Sequence, residues 1–141
     1  MNFLLDTCVL SELTRPRPSA GVVQWFENAV EHTLFVSVVT MAELSRGVEK
    51  ARVINPVHAA RLDLWFAQIR LRFKDKTFDT DRPVWDTWAE ICGKSDAIDQ
   101  PPPPIDTLFV ATAQLHNLTI VTRNVRDFAP YPLIHNPWLE A

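Results

Sequence analysis

The chain has 141 residues, of which 47% are apolar and 22% charged, and its formal net charge at neutral pH is −3. This length and apolar share suffice for a core, so we expect a single domain over residues 1–141. The acidic balance argues against a broad basic surface that holds nucleic acid by counterion release alone, so any RNA contact must be local.

The chain carries two cysteines, Cys8 and Cys92. They provide neither a disulfide framework nor a CxxC metal pair, which suits a reducing compartment. The first residues form a short apolar run that Asp6 breaks, without the basic flank of a signal peptide, and no segment reaches membrane-spanning length. We therefore expect a cytoplasmic protein.

The first third of the chain predicts two buried strands with helices between them. Residues 2–6 are a short apolar run typical of a buried parallel strand, and residues 7–13 predict one short helix. After two prolines, Ser19 is expected to cap a helix that runs to about Val30. Residues 34–39 predict the second strand. The apolar face of the intervening helix would comprise Val22, Val23, Phe26 and Val30.

The middle of the chain predicts a helical hairpin. The segment Thr40-Met41-Ala42-Glu43 has the form of a capping box and would open a helix. Pro56 separates that helix from the next one, which is expected over residues 57–73. The second helix is amphipathic, because apolar residues recur at helical spacing: Leu62, Trp65, Phe66 and Ile69.

The last half of the chain again predicts strands that alternate with helices. Residues 77–79 are a weak strand candidate, and Pro83 fits the first turn of a helix that ends near Lys94. The prolines at 101–104 predict a stiff connector into a helix over residues 105–116, with Asn117 as its stop. The remaining predicted elements are strands at 118–121 and 133–134, with a polar turn at 123–127 between them.

Strands that alternate with helices require crossover connections, which favour parallel pairing with helices on both faces of the sheet. The predicted fold class is therefore α/β, an α/β/α sandwich with a central, mostly parallel sheet of four to five strands.

Polar residues at the carboxyl ends of the strands are the candidates for function, because ligands of open α/β sheets bind there. Asp6 ends the first strand, Glu43 follows the second, Asp106 begins the helix before the next long strand, and Asn124 and Asp127 follow that strand. Each alone could be a helix cap or a turn residue. Together, carboxylates in one cleft would repel each other and raise each other's pKa unless a cation lies between them.

The hard oxygen ligands of such a cleft suit Mg²⁺ or Mn²⁺, which also bind phosphate oxygens. A bound divalent ion lowers the pKa of a water and neutralises charge on a phosphate. We therefore expect a phosphodiester as the substrate of such a site.

Four segments are similar to the motifs of PIN-domain nucleases of the VapC and FitB type. The first two are Leu4-Leu5-Asp6-Thr7-Cys8-Val9-Leu10-Ser11-Glu12 and Ser37-Val38-Val39-Thr40-Met41-Ala42-Glu43-Leu44. The other two are Asp106-Thr107-Leu108-Phe109-Val110-Ala111-Thr112-Ala113 and Val121-Thr122-Arg123-Asn124-Val125-Arg126-Asp127-Phe128. The resemblance spans nearly the whole chain and includes the closing Asn136-Pro137-Trp138. It implies a PIN-like sandwich.

The resemblance also implies site residues. Asp6 and Asp106 would be the principal metal ligands, Glu43 would complete the metal's first shell directly or through water, and Thr7 would place a hydroxyl nearby. At the fourth motif some members have Asp where this chain has Asn124, so Asp127 is the other candidate for that position. Cys8 also departs from the common pattern, because Asn is frequent there.

The implied function is an Mg²⁺- or Mn²⁺-dependent endoribonuclease, the toxin component of a type II toxin–antitoxin system. Transfer or ribosomal RNA would be the substrate. The implied partners are a second copy of the chain and a VapB/FitA-like DNA-binding antitoxin.

Two alternatives remain open at this point. An aspartyl-nucleophile phosphatase would also place an Asp after its first strand, but Asp6-Thr7-Cys8 lacks the second Asp that such enzymes need two positions on. A catalytically inactive PIN-like module that only binds RNA or an antitoxin is conceivable because of Asn124.

The sequence also gives expectations for three further groups of residues. The aromatic residues, which we expect mainly in the core, are Trp25, Phe26, Trp65, Phe66, Trp85 and Trp88. The arginines that could contact RNA phosphates are Arg15, Arg17, Arg46, Arg123 and Arg126. None of the four histidines shows metal-ligand spacing, so histidine general-base catalysis is not expected.

Overall fold

The structure is a computed structural model that describes residues 1–140. Its centre is a sheet of five strands, all paired in parallel, in the order β3-β2-β1-β4-β5. The strands are β1 (Phe3–Leu5), β2 (Leu34–Ser37), β3 (Thr77–Phe78), β4 (Thr119–Val121) and β5 (Ile134–His135). The predicted α/β class with a parallel sheet is confirmed. Ala141 lies outside the described residues, and the single-domain boundary at 1–141 stays a prediction.

Helices connect the strands. They are α1 (Thr7–Glu12), α2 (Ala20–Asn28), α3 (Val38–Ile54), α4 (Pro56–Arg72), α5 (Arg82–Ala97) and α6 (Pro104–His116), with short 3-10 helices at Glu31–Thr33, Val125–Phe128 and Pro137–Leu139. Across residues 1–140, none of these helices combines the length and apolarity needed to cross a membrane.

Local sequence explains several helix boundaries. Proline occupies the first turn of α4, α5 and α6, where its missing N–H costs nothing. Asn117 ends α6 in the left-handed conformation with φ 54°, which Asn tolerates better than most residues. Asn55 caps α4 by accepting a hydrogen bond from the backbone N–H of His58. The predicted break at Pro56 and the stop at Asn117 are confirmed.

The predicted boundary between the second strand and its helix is wrong. β2 ends at Ser37, whose hydroxyl accepts the N–H of Val39 and begins α3 at Val38. Thr40 lies inside the first turn and is fully buried, so the predicted capping box does not form. Because Glu43 is released from capping, its carboxylate is free to contact another element.

Two helix ends also differ from expectation. α2 ends at Asn28, and Val30 lies outside it with 55% of its surface exposed, so Val30 does not belong to the apolar face. α5 continues past Lys94 to Ala97. Ser19 precedes α2 as predicted, but its side chain accepts no capping hydrogen bond. Its backbone N–H donates to the Glu12 carboxylate.

The core lies on both faces of the sheet. β1 shows the division, because Leu5 packs in a cluster with α1, α2, α3 and α4, whereas Leu4 packs with α6 and β4. Among the aromatic residues, Phe66 is buried and Trp25, Phe26 and Trp65 pack at the edge of the first cluster. Trp85 is 43% exposed, so core packing does not account for all of them.

The C-terminal segment closes over α1 and α2. Glu12, buried at the end of α1, accepts hydrogen bonds from the indole N–H of Trp138 (3.3 Å) and the backbone N–H of Ser19 (3.2 Å). The backbone carbonyls of Pro137 and Glu140 lie directly against Gly21 of α2. A Cβ at position 21 would overlap them, so glycine permits this close approach.

Candidate metal centre

A cleft of about 300 Å³ lies at the carboxyl ends of β1 and β4. All five residues predicted for the site line it, although they come from four separate segments of the chain. The lining residues are Asp6, Thr7, Cys8, Ser11, Glu43, Ile105, Asp106, Phe109, Asn124, Asp127 and Phe128. The parallel order of the strands therefore brings the predicted residues to one place.

Asp6 lies directly after β1 and caps α1. Its Oδ1 accepts the backbone N–H of Thr7 at 2.7 Å, so the strand-to-helix turn itself orients the carboxylate. Burial raises the pKa of Asp6, and the negative charge of Asp127 raises it further, although hydrogen bonds from Thr122, Cys8 and Thr7 act in the opposite direction. A nearby cation would favour the ionised form.

Thr122 is a site residue that sequence reasoning did not single out. It is fully buried after β4, donates from its hydroxyl to Asp6 Oδ2 at 2.8 Å and accepts the backbone N–H of Asn124 at 2.9 Å. The available signal was its position, a hydroxyl residue directly after a buried strand in the fourth motif. Thr122 thus connects the first motif to the fourth.

Glu43 lies in the second turn of α3 and reaches toward α1. Its Oε1 accepts a hydrogen bond from the hydroxyl of Thr7 at 2.8 Å. This contact joins the first and second motifs at the edge of the cleft. The Thr7 hydroxyl thus lies beside an acidic residue of the cleft, and its predicted place near a metal stays a prediction.

Asp106 lies in the first turn of α6, where the helix dipole favours negative charge. Burial nevertheless raises its pKa, and the charges of Asp127, Asp6 and Glu43 add to that effect in this order. The four carboxylates are therefore close enough to influence one another, as the sequence predicted.

The fourth motif contributes both of its candidate residues to the cleft. Asn124 and Asp127 line the cleft, and the 3-10 helix Val125–Phe128 carries Asp127 where the sequence predicted a polar turn. The charge of Asp127 acts on both Asp6 and Asp106. An amide at Asn124 supplies no such charge.

Cys8 lies beside Asp6 on the wall of the cleft. Its thiol donates to Asp6 Oδ2 at 3.4 Å and lies 3.6 Å from the hydroxyl of Thr122. Burial, together with the adjacent Asp6 charge, raises the pKa of the thiol to about 11. Cys8 is thus a neutral hydrogen-bond donor to the carboxylate at neutral pH.

The donor chemistry of the cleft fits a hard divalent ion. Within residues 1–140, no three His, Cys, Asp or Glu side chains are already gathered closely enough to hold an ion among them. Mg²⁺, however, keeps several of its waters and needs only one or two carboxylates. Asp6 and Asp106, which line the same cleft, supply two carboxyl groups and meet that requirement.

The five predicted RNA-contacting arginines are all exposed, and none of them lines the cleft. Arg15 pairs with Glu12 at 3.4 Å, and the guanidinium of Arg123 lies 5.9 Å from the ring of Trp138. Their role in RNA contact stays a prediction.

Comparison with known proteins agrees with this fold. The PIN domain family matches residues 3–131. Toxin FitB of Neisseria gonorrhoeae is 32% identical over 96% of this chain and 97% of its own length, and VapC ribonuclease Y4jK of Sinorhizobium fredii is 26% identical over 96% of each. The crystal structure of FitAcB from Neisseria gonorrhoeae superimposes with a TM-score of 0.88 at 32% identity, covering 97% of this chain and 99% of that chain. The chain therefore belongs to the PIN domain family, in its VapC and FitB branch.

Proposed function

We propose that this protein is a divalent-metal-dependent endoribonuclease that hydrolyses RNA phosphodiester bonds as the toxin component of a type II toxin–antitoxin system. The observation that carries the proposal is the single cleft that Asp6, Glu43, Asp106 and Asp127 all line. Burial and mutual repulsion raise the pKa values of Asp6 and Asp106, and a bound divalent cation would favour the ionised form of both. Relatives named ribonuclease and toxin support the same reading.

Asp6 and Asp106 would hold Mg²⁺ or Mn²⁺, and Glu43 would act through a water. The contact between Glu43 and Thr7 favours that indirect role, because one of its oxygens already accepts a hydrogen bond. The ion would supply Lewis-acid charge and a bound water of lowered pKa.

The chain's own residues orient the reacting groups. Thr122 and the N–H of Thr7 fix both oxygens of Asp6, while the start of α6 places Asp106 and free backbone N–H groups at the same cleft. Those N–H groups would donate hydrogen bonds to a phosphate oxygen of the substrate. No histidine is among the lining residues, which leaves proton transfer to the carboxylates and water.

A groove next to the cleft would accommodate the antitoxin. It has a volume of about 210 Å³ between α1 and the α3–α4 hairpin, with an apolar wall of Leu44, Val48, Leu62 and Trp65. Gly47 leaves open space in that wall, since no atom lies within 4 Å of where its Cβ would be. Thr7 and Glu43 line both the groove and the cleft, so a segment bound in the groove would restrict access to the acidic residues.

We propose a VapB/FitA-like DNA-binding antitoxin as the inhibitory partner, a homodimer as the assembly and the cytoplasm as the location. The solved relative FitAcB supports the first of these by its name. Transfer or ribosomal RNA is the proposed substrate class.

The test is cleavage of transfer and ribosomal RNA by the purified chain with Mn²⁺ or Mg²⁺. We expect cleavage that EDTA abolishes and that Asp6→Asn reduces by at least about 100-fold, since a catalytic metal ligand is lost. Asp75→Asn, an exposed carboxyl outside the cleft, is the matched control and should cleave like wild type.

Three results would contradict the proposal. Cleavage that survives both EDTA and Asp6→Asn excludes the metal mechanism. RNA binding without cleavage indicates the inactive PIN-like module. Phosphate release from small monoesters, with RNA left intact, indicates the phosphatase.

A further inference from the structure

Trp85, near the start of α5, is an exposed tryptophan that neither the core nor the acidic cleft accounts for. It leaves 43% of its surface in solvent, whereas Trp88 on the same helix is half-buried against the cluster of Val84, Leu108 and Ala111. The two indoles meet edge to face, with ring centroids 5.2 Å apart and planes at 72°. Trp88 therefore supports Trp85 from one side, and the rest of the Trp85 indole stays open to solvent.

The start of α5 lies at the same edge of the sheet as the cleft. β3 is parallel to β2 and ends at Phe78, and only residues 79–81 separate it from α5. α6 also starts at this edge, because Asp106 in its first turn lines the cleft, and α6 leads to β4, which begins at the opposite edge. Both helices therefore run from the carboxyl edge of the sheet toward its amino edge.

A hydrogen bond fixes the position of Trp85 relative to α6. The indole N–H of Trp88 donates to the carbonyl of Pro104 at 3.2 Å, so Trp88 is level with the first turn of α6. Pro104 is followed directly by Ile105 and Asp106, which both line the cleft. Trp85 precedes Trp88 by three residues, or about 4.5 Å along α5 toward the carboxyl edge. It therefore stands at the rim of the cleft.

Arg82 adds a positive charge beside this indole. It precedes Trp85 by three residues, a spacing that makes side chains neighbours on a helix surface. Its side chain is 92% exposed, and its guanidinium lies 4.0 Å from the exposed carboxylate of Asp86. An exposed ion pair at that distance contributes little, so the guanidinium can bind another anion. We call Arg82 and Trp85 the rim pair.

The chemistry of the rim pair suits an unpaired nucleotide. Unpaired bases of any sequence stack on tryptophan, and arginine binds the phosphates between them. Among the described residues that line the cleft there is no lysine or arginine, so affinity for a polyanion has to come from residues around it. In an RNA duplex the bases are already stacked and paired, which leaves no free base for the indole.

We propose that the rim pair binds an unpaired nucleotide of the RNA substrate close to the cleaved bond, with its base stacked on Trp85 and a phosphate at Arg82. This inference rests on the RNA substrate of the proposed function and adds the feature that is recognised, an unpaired base. Because Trp88 joins the rim pair to the start of α6, an RNA strand with one phosphate near Asp106 can reach it.

The first experiment measures RNA binding without cleavage. A short, fluorescently labelled, single-stranded RNA of mixed sequence is titrated with the Asp6→Asn chain and Mg²⁺, and anisotropy gives the dissociation constant. Adding Trp85→Ala should weaken binding by about 5- to 100-fold, the usual cost of losing one stacked base. Trp85→Phe keeps an aromatic ring and should lose much less. The matched control is Ile98→Ala, a 65% exposed residue at the other end of α5, which should bind like the parent chain.

The second experiment removes bases instead of the indole. A block of abasic positions in the middle of the same RNA keeps the phosphates and should weaken binding to the parent chain. The loss should be much smaller for Trp85→Ala, because both changes remove one contact and their effects are then not additive. This comparison does not depend on the folding stability of the variant. The RNA annealed to its complement should bind both chains equally.

The third experiment tests the phosphate contact through its salt dependence. Arg82→Gln should lower the slope of log affinity against log salt concentration by about 0.7, the value for one phosphate of a single strand. Lys94→Gln removes the same charge near the other end of α5 and should leave the slope unchanged. An unchanged slope in Arg82→Gln would overturn the phosphate contact.

The outcomes separate the possible failures. Equal RNA affinity of Trp85→Ala and Ile98→Ala, or additive losses with the abasic RNA, would overturn base stacking, even where wild type cleaves RNA. A changed mass of Trp85→Ala in light scattering would assign the indole to a protein contact and also overturn it. The predicted losses of binding without any cleavage by wild type would support the rim pair and contradict the nuclease. No RNA binding at all would overturn the rim pair.

Discussion

The hydroxyl of Thr122 donates to Asp6 Oδ2 at 2.8 Å while it accepts the backbone N–H of Asn124 at 2.9 Å. This buried hydroxyl, at the end of the neighbouring strand β4, fixes one oxygen of the first-motif carboxylate. A group that hydrogen-bonds to a metal ligand orients that ligand and raises the affinity of the site for the ion.

We therefore expect Thr122→Val to reduce both Mn²⁺ affinity and RNA cleavage by about 10- to 100-fold, which is the usual effect of losing such a partner. Val keeps the shape of Thr and removes the hydroxyl. Titration of Mn²⁺ binding by calorimetry, alongside cleavage, measures the effect. Thr122→Ser keeps the hydroxyl and should retain most of both, so equal loss in the two variants would argue against orientation.

The two candidate residues of the fourth motif give a second prediction. The charge of Asp127 acts on both Asp6 and Asp106, whereas Asn124 contributes only an amide. Asp127→Asn should reduce cleavage by about 10-fold or more, because negative charge near the ion is lost. Asn124→Ala should reduce it less. Cleavage rates of the two variants at saturating Mn²⁺ measure these effects. A larger loss in Asn124→Ala than in Asp127→Asn would assign the fourth acidic position to Asn124.

Gly21 permits a close backbone approach of the C-terminal segment to α2. Gly21→Ala should lower the free energy of unfolding by about 1–3 kcal/mol, because the new Cβ would overlap the carbonyl oxygens of Pro137 and Glu140. Gly93→Ala is the matched control, since nothing lies within 4 Å of its Cβ position inside α5. It should stabilise the helix by about 0.5–1 kcal/mol. Urea unfolding of both variants gives the comparison, and equal stability of the two would contradict the overlap.

Glu31 supplies a pH-dependent contact at the edge of the sheet. Its carboxylate binds Arg72 at 2.6 and 2.8 Å and Lys76 at 3.3 Å, and chiefly the hydrogen bond from Arg72 lowers its pKa from 4.5 to about 2. A lowered pKa in the folded state means that the contact stabilises the protein above about pH 4.5 and is lost as the pH falls toward 2.

Glu31→Gln should therefore lower the free energy of unfolding at pH 7 by no more than about 1 kcal/mol, since the pair is half exposed and screened by solvent. Thermal unfolding of wild type and variant between pH 7 and pH 2 measures the difference. It should shrink steadily below pH 4.5. A difference that stays constant across this range would show that the charge of Glu31 does not contribute.

Much of the fold could be predicted from local sequence. The apolar runs of β1 and β4, the prolines that open α4, α5 and α6, and Asn117 at the end of α6 all carry signals within a few residues. The start of α3 was predicted wrongly for a physical reason. Ser37 and Thr40 are both residue types that cap helices. Only the tertiary structure, in which Ser37 caps Val39 and Thr40 is fully buried, decides between them.

The acidic residues of the site were predictable for a different reason. In a parallel sheet the carboxyl ends of all strands share one edge, so polar residues near the carboxyl ends of neighbouring strands lie close together. This is why Asp6, Glu43, Asp106, Asn124 and Asp127 could be selected without coordinates. Their roles as metal ligands stay a prediction.

The sequence by itself determined that Asp6 and Thr122 each follow a buried strand, because an apolar run ends at a polar residue in both places. Only the tertiary structure decided that the Thr122 hydroxyl binds Asp6, because that contact joins residues 116 positions apart. The same holds for Glu43 with Thr7, and for Glu12 with Trp138. Local patterns set where a strand or helix ends, whereas hydrogen bonds between distant segments depend on how the sheet orders its strands.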